Sequence, residues 1–100
     1  ARARAVGTGT VGTVGVAVAA VRLAARLGAE HRILVNAVRP GLIDTPAHLQ
    51  TPNRDMVSRI EKIPMKRMGE PLDVARMVCF LASSAGDFIT GEVFSVTGGD

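Results

Sequence analysis

The sequence contains no tyrosine or tryptophan, and its aromatic residues are three phenylalanines. It therefore offers no aromatic platform of the kind on which nucleic-acid bases stack. Twelve lysine and arginine residues against nine aspartate and glutamate give a net charge of +3, and the basic residues are scattered along the chain. Because scattered basic residues do not indicate a nucleic-acid-binding surface, we expect no nucleic-acid partner.

Cysteine and histidine are also scarce. The single cysteine, Cys79, lies in the apolar run 77–81 and is predicted to be a small core residue. One cysteine cannot form a disulfide within the chain, and the two histidines, His31 and His48, do not cluster as metal ligands do. We therefore predict no metal site. His31 is expected on the surface and His48 in a solvated loop, with contact to a substrate as the alternative for His48.

The uncharged run over residues 5–21 follows a basic start, as in a signal peptide or a short membrane span. Glycine, threonine and alanine make up most of this run, so its hydrophobicity is low for membrane insertion. We therefore expect a cytoplasmic protein that does not enter the membrane.

The pattern of apolar residues predicts an α/β fold with parallel strands joined by helical crossovers. Residues 33–38 are apolar on both faces, as in a buried parallel strand, and Pro40 ends this strand because proline has no amide to donate. The predicted elements are a helix over 14–27 with Gly28 as its C-cap, the strand over 33–38, helices over 53–62 and from Pro71 to about 82, and a strand over 93–97. Residues 1–13 are predicted to be irregular.

Several blocks of the sequence resemble, in order and spacing, the last third of a short-chain dehydrogenase/reductase. They are VNAVRPGLIDTP at 35–46, MGEP at 68–71 with DVA at 73–75, FLAS at 80–83, FITGE at 88–92 and TGG at 97–99. The resemblance covers residues 32–100. It implies that residues 1–100 are the C-terminal portion of one Rossmann-type domain, with the last two strands of a doubly wound parallel sheet and their flanking helices.

The same resemblance implies where a cofactor would bind. Ligands of doubly wound sheets bind outside the carboxyl ends of the strands, and in this family the segment after the sixth strand holds the nicotinamide ring. By that resemblance Pro40 and Gly41 lie under the ring, the backbone of Ile43 pairs with its carboxamide, and the Thr45 hydroxyl adds a hydrogen bond. The implied cofactor is NAD or NADP, and the implied assembly is a homo-oligomer, either a dimer or a tetramer.

The implied activity is hydride transfer between nicotinamide and a small carbonyl or alcohol substrate. The family uses a tyrosine as general acid and base, a lysine four residues later, and a serine and an asparagine upstream. Counting back from Asn36 by the family's spacing places the tyrosine near Gly9 or Thr10 and the lysine near Thr13 or Val14. Neither is present, so no catalytic residue is assigned. We interpret the chain as a fragment, a frame-shifted reading or a degenerate copy.

Two other hypotheses remain open. The first is a non-catalytic oligomerisation or binding module derived from the family, which the missing tyrosine and lysine favour. The second is a minimal dinucleotide-binding βαβ unit, because Gly7, Gly9 and Gly12 match G-x-G-x-x-G. Only residues 1–6 are available for the strand that must precede such a loop, and they include two arginines. We expect these glycines to begin the first helix instead.

Overall fold

The computed structural model of the chain describes residues 3–8, 14–46 and 55–100. Within this part the elements are β1 (Ala3–Thr8), α1 (Val14–Ala29), β2 (Ile33–Pro40), α2 (Met56–Lys62), α3 (Pro71–Ala82), a 3-10 turn (Ser84–Gly86) and β3 (Val93–Val96). The described strands form one sheet in the order β1-β2-β3, with both neighbouring pairs parallel. The predicted α/β class is confirmed.

The two predicted strands lie side by side, as expected. Ala37 of β2 is opposite Val93 of β3, and Pro40 is opposite Val96, so both strands end at the same edge of the sheet. The structure extends β2 by two residues beyond the predicted end and includes Pro40 as its last residue. Because proline has no amide to donate, the strand cannot continue past this point as an ordinary ladder.

The prediction for the first thirteen residues is wrong over Ala3–Thr8, which form β1. This strand pairs with β2 in parallel from Ala3 opposite Ile33 to Thr8 opposite Val38. Gly7 therefore lies in a strand, opposite Ala37, and not at the start of a helix. Gly9 and Gly12 lie outside the described residues.

Tertiary contacts explain why a segment that contains Arg4 forms a strand of the sheet. The Arg4 side chain is 20% exposed; its guanidinium forms an ion pair with Asp87 and donates to the Leu81 carbonyl at 3.2 Å. The charge is therefore placed against the C-terminal end of α3, where helix carbonyls lack internal partners. Periodicity along residues 1–6 carries no information about these contacts.

The core lies where α1 and α3 pack on β2. Its buried apolar residues are Ala25, Leu34, Ala37, Val38, Leu42, Ile63 and Leu81. Asn36 is buried among them at 3% exposure, and both polar atoms of its side chain form hydrogen bonds. Its amide nitrogen donates to the Ile89 carbonyl at 3.0 Å, and its carbonyl oxygen accepts from the Glu92 amide at 3.1 Å. Asn36 thus fastens the turn before β3 onto β2.

The helices agree with the sequence prediction in position and differ at their ends. α3 begins at Pro71, as predicted, because proline is tolerated at the first helical position. α1 continues through the predicted C-cap Gly28 to Ala29, and the residue with left-handed backbone in the following turn is Arg32, at φ 58°. α2 begins at Met56, where Asp55 caps it by accepting from the Ser58 amide at 3.0 Å.

Cys79 is exposed, and the prediction that it lies in the core is wrong. The apolar run 77–81 is longer than one helical turn, so its residues cannot all face the sheet. Leu81 is the buried member of the run, while Cys79 and Phe80 lie on the outer face of α3. His31 is exposed, as predicted, and His48 lies outside the described residues.

None of the helices described here is long and apolar enough to cross a membrane. Over the same residues, no group of three or more histidine, cysteine, aspartate or glutamate side chains could hold a metal ion.

Candidate functional site

A cleft of about 500 Å³ opens at the carboxyl ends of β2 and β3. We call it the strand-end cleft. It is lined by Leu42 and Ile43 after β2, by Met65, Arg67, Gly69 and Asp73 around the start of α3, and by residues 95–99 at the end of β3. Clefts at this edge of a parallel sheet are where ligands of doubly wound folds bind.

Gly41 brings the ends of the two strands together. Its amide donates to the Val96 carbonyl at 2.9 Å, and a Cβ atom at Gly41 would lie 2.8 Å from Thr97 Cα. A contact this short with backbone cannot be relieved by rotating a side chain, so only glycine fits without a shift of the chain. Within this chain, the requirement for glycine therefore comes from the close approach of β3.

The segment after Gly41 is fastened to the residues before α3. Ile43 and Gly69 form an isolated parallel bridge. The Gly69 amide donates to the Leu42 carbonyl at 2.9 Å, and the Asp44 amide donates to the Gly69 carbonyl at 2.8 Å. Residues 40–45, which we call the strand-end loop, are thus held from two sides, by β3 and by Gly69.

Asp73 organises the segment that contains Gly69. Its Oδ2 accepts from the Glu70 amide at 2.7 Å and from Arg67 Nη1 at 3.1 Å. Arg67 Nη1 also donates to the Met68 carbonyl at 3.0 Å. The hydrogen bond from the Glu70 amide, followed by that from the Arg67 guanidinium, holds the pKa of the Asp73 carboxyl below its ordinary value of 3.8.

The structure brings one of the four predicted cofactor residues into the cleft. Among its described lining residues, Ile43 is the member of the predicted set. Pro40 ends β2 opposite Val96, Gly41 lies against the backbone of Thr97, and Thr45 is half-buried farther along the loop. All four share the strand-end loop, but Thr45 is not placed on the wall of this groove.

Sequence reasoning missed Arg67 and Thr97 as cleft residues and assigned Asp73 only a helix-terminal role. The carboxylate in the first turn after Glu70-Pro71 was a usable signal for the contact to the Glu70 amide. Arg67 carried no local signal, and the TGG block at 97–99 did not indicate that Thr97 lines a cleft, because both positions depend on how the start of α3 and the end of β3 meet.

The chemistry available in the cleft is that of binding. Leu42, Ile43 and Val96 supply apolar surface, and Ser95 and Thr97 supply hydroxyl groups. The lining carboxylate, Asp73, already accepts two hydrogen bonds, and the sequence contains no tyrosine to act as a general acid. The cleft therefore offers a ligand both apolar surface and hydroxyl groups.

Comparisons with known proteins agree with this geometry. A family model described as enoyl-(acyl carrier protein) reductase matches residues 13–100. The chain is similar to the 3-oxoacyl-[acyl-carrier-protein] reductase of Thermotoga maritima, with 39% identity over 71 residues, and to the (3R)-3-hydroxyacyl-CoA dehydrogenase of Homo sapiens, with 45% identity over 76 residues. These matches cover 71% and 76% of this chain and 29% of each relative.

The acetoacetyl-CoA reductase of Rhizobium meliloti is 46% identical over 76 residues, which are 75% of this chain and 32% of that protein. A crystal structure from Brucella melitensis, described as a short-chain dehydrogenase/reductase of the glucose/ribitol dehydrogenase type, superposes with a TM-score of 0.85 at 29% identity. That match covers 96% of this chain and 44% of the other. The chain thus spans less than a third of the length of the curated relatives it matches.

Proposed function

This chain belongs to the short-chain dehydrogenase/reductase family, as its sequence motifs predict, and we propose that it forms the nicotinamide-facing part of an NAD- or NADP-dependent oxidoreductase. The observation that carries the proposal is the strand-end loop, fastened between β3 and Gly69 at the edge of the sheet where such cofactors bind. A loop held from both sides presents its backbone in one geometry, as recognition of a rigid ring requires.

The proposed cofactor contacts are Pro40, Gly41, Ile43 and Thr45. Ile43 supplies apolar surface in the cleft, and the close approach of Gly41 to Thr97 holds the loop against the end of β3. The nicotinamide supplies or accepts the hydride when it is bound. This chain's residues bind and orient the ring and exclude water from one side of it.

The acid-base group for the reaction is proposed to lie outside this chain. The sequence has no tyrosine, and the first lysine is Lys62, remote from the family's expected position near Thr13. If so, the chain would be a fragment or a degenerate copy of a cytoplasmic oxidoreductase. It would bind a cofactor without transferring hydride.

The substrate class that the relatives suggest is a small carbonyl or alcohol. Three of the similar proteins are named for a 3-oxoacyl-acyl carrier protein, a 3-hydroxyacyl-CoA or acetoacetyl-CoA, and the solved structure is named for glucose and ribitol. We propose acyl thioesters as the first substrates to test on a complete enzyme that carries this segment.

Titration of the chain with NADH and NADPH tests the proposal, followed by the amide resonances of Leu42, Ile43 and Thr45. We expect saturable shifts at these amides and none at Arg59 of α2, which is not among the described lining residues of the cleft. A panel of acetoacetyl-CoA, ketones and polyols should give no change in NADH absorbance. Uniform absence of shifts with both cofactors would remove the binding function.

A second candidate is a non-catalytic oligomerisation module, and α1 carries a specific observation in its favour. Val16, Leu23 and Leu27 are 76%, 61% and 64% exposed and fall on one face of the helix. An apolar stripe of this kind on a described surface indicates an interface. Sedimentation of the chain and of a Leu23→Glu variant separates the candidates, since the module requires a dimer or tetramer that the substitution breaks.

One feature of the structure favours the hypothesis of a minimal dinucleotide-binding βαβ unit, in which Gly7, Gly9 and Gly12 would bind phosphate. β1 pairs with β2 and precedes α1, so a strand does lead toward the glycines. Against it, the acidic residue expected near the end of the second strand is absent, and Arg39 stands there with its Nε donating to Ser95. A Gly9→Ala substitution that abolishes cofactor binding while Gly41→Ala does not would favour this hypothesis over the strand-end loop.

A further inference from the structure

The strand-end loop depends on a segment that is itself held by side chains. Gly69 makes two hydrogen bonds to the loop, at the Leu42 carbonyl and the Asp44 amide, in addition to the one between Gly41 and Val96. Because the two bonds from Gly69 lie on either side of Ile43, a shift of Gly69 would shift Ile43. Nothing in the local sequence of the loop fixes Gly69, which lies 26 residues after its bridge partner Ile43.

Arg67 and Asp73 hold Gly69 from its two sides. Asp73 accepts from the amide of Glu70, the residue after Gly69. Arg67 pairs with the same carboxylate oxygen and donates to the carbonyl of Met68, the residue before Gly69. We call this pair the clasp. Its two side chains are 52% and 24% exposed, so Asp73 is the more enclosed partner.

We propose that Asp73, through the clasp, is a positioning residue for cofactor binding at the strand-end loop. The proposal rests on the proposed function of that loop. The Asp73 carboxylate is hydrogen-bonded to the amide of Glu70, and Glu70 is covalently joined to Gly69. Gly69 is in turn hydrogen-bonded to Leu42 and Asp44 of the strand-end loop. A carboxylate that served only to cap α3 would affect the helix and leave the loop unchanged.

The chain offers a matched control in Asp55. Its carboxylate is the N-cap of α2 and accepts from the Ser58 amide at 3.0 Å and from the Ser58 hydroxyl at 2.6 Å. Asp73 also serves a helix start, but from the first turn of α3, where it accepts from the amide of the N-cap residue Glu70. Both of the hydrogen bonds to Asp55 come from Ser58 of α2, so the Asp55 carboxylate is tied to its own helix. Asp55→Asn therefore removes a comparable charge at a helix start without touching the proposed route.

The test compares amide hydrogen exchange and cofactor affinity in the full chain and its variants. Asp73→Ala removes both contacts of the carboxylate, while Asp73→Asn keeps an oxygen for the Glu70 amide and loses the charge pair with Arg67. We expect Asp73→Ala to raise exchange at Asp44 and Gly69 about tenfold, the effect of losing one hydrogen bond to a charged group. The Kd for NADH should rise by about the same factor in Asp73→Ala. In Asp73→Asn, both the exchange rates and the Kd should lie between those of the unsubstituted chain and those of Asp73→Ala.

Arg67→Gln should raise exchange at the same two amides, and adding it to Asp73→Asn should have little further effect, since the two residues act as one unit. Asp55→Asn should alter exchange in α2 and leave Asp44, Gly69 and the Kd unchanged. Unaltered exchange at Asp44 and Gly69 in Asp73→Ala would overturn the positioning role. Failure of the unsubstituted chain to bind either cofactor would overturn the proposed function, whatever the exchange data show.

Discussion

Arg4 on β1 pairs with Asp87 in the turn after α3, so an ion pair joins two residues that lie 83 positions apart in the sequence. The same guanidinium donates to the Leu81 carbonyl near the C-terminus of α3. One side chain thus links the first strand to the helix that precedes the last strand. This contact adds to the pairing of β1 with β2 in the sheet.

We expect Arg4→Ala to lower the free energy of unfolding by about 1 kcal/mol, because a half-buried ion pair and a hydrogen bond to a helix carbonyl are both lost. Urea unfolding measures the change. The double variant with Asp87→Ala should show a coupling energy of about 0.5 kcal/mol. Arg22→Ala, on the exposed face of α1, is the control and should stay within about 0.5 kcal/mol of the parent chain. A zero coupling energy would mean that the pair contributes nothing.

Gly41→Ala is expected to destabilise the chain by about 1 to 3 kcal/mol, because the added methyl would overlap the Thr97 backbone and force the strand ends apart. Gly15→Ala provides the matched control. Nothing lies within 4 Å of a Cβ at Gly15, which is in α1, so alanine there should stabilise by about 0.5 to 1 kcal/mol. Thermal unfolding of both variants gives the comparison. Equal responses at the two glycines would contradict the role assigned to Thr97.

Asn36→Leu should cost about 2 to 3 kcal/mol of unfolding free energy, since it leaves the Ile89 carbonyl and the Glu92 amide without their buried partner. Amide exchange should rise first at Glu92 and then along β3, because the turn before β3 is fastened through Asn36. Ser95→Ala, at an exposed position of β3, tests whether any substitution near this strand has the same effect. A Glu92 amide that exchanges as slowly as in the parent chain would argue against the assignment.

The pH dependence of α3 follows from Asp73. The pKa of its carboxyl is lowered in the folded chain from 3.8, chiefly by the Glu70 amide and then by Arg67. A carboxylate with a lowered pKa contributes its stabilisation fully above the unfolded pKa and loses it as the pH falls through the folded pKa. Protection of the Glu70 amide should therefore persist at neutral pH and decline below pH 3.8. In Asp73→Asn this acid-dependent decline should disappear.

Much of the fold could be predicted from local patterns. The run at 33–38 is apolar on both faces, which only a strand covered on both sides requires, and the structure places it in the middle of the described sheet. Pro71 and Asp73 marked the start of α3 because proline and a first-turn carboxylate both suit a helix N-terminus. The prediction that Cys79 is buried is wrong because an apolar run does not indicate which of its residues face the core.

The sequence predicts which segment forms the candidate site, but it does not predict how that segment is held in place. The motif at residues 35–46 indicated that the strand-end loop faces a cofactor, and the structure places Ile43 of that loop in the cleft. The clasp of Arg67 and Asp73 could not be predicted from the sequence, because it contacts the loop through Gly69 and the bridge to Ile43. A bridge between residues 26 apart depends on how two loops pack.

The sequence by itself determined the class of the fold, the positions of β2, α1, α3 and β3, and the family to which the chain belongs. These follow from residue periodicity, from proline and glycine at fixed positions, and from motif spacing, all of which are local properties. The tertiary structure alone decided that Ala3–Thr8 is a strand, that Gly41 is required by Thr97, and that Asp73 reaches the strand-end loop. Each of these depends on contacts between residues far apart in the chain, and such contacts exist only after the sheet has formed.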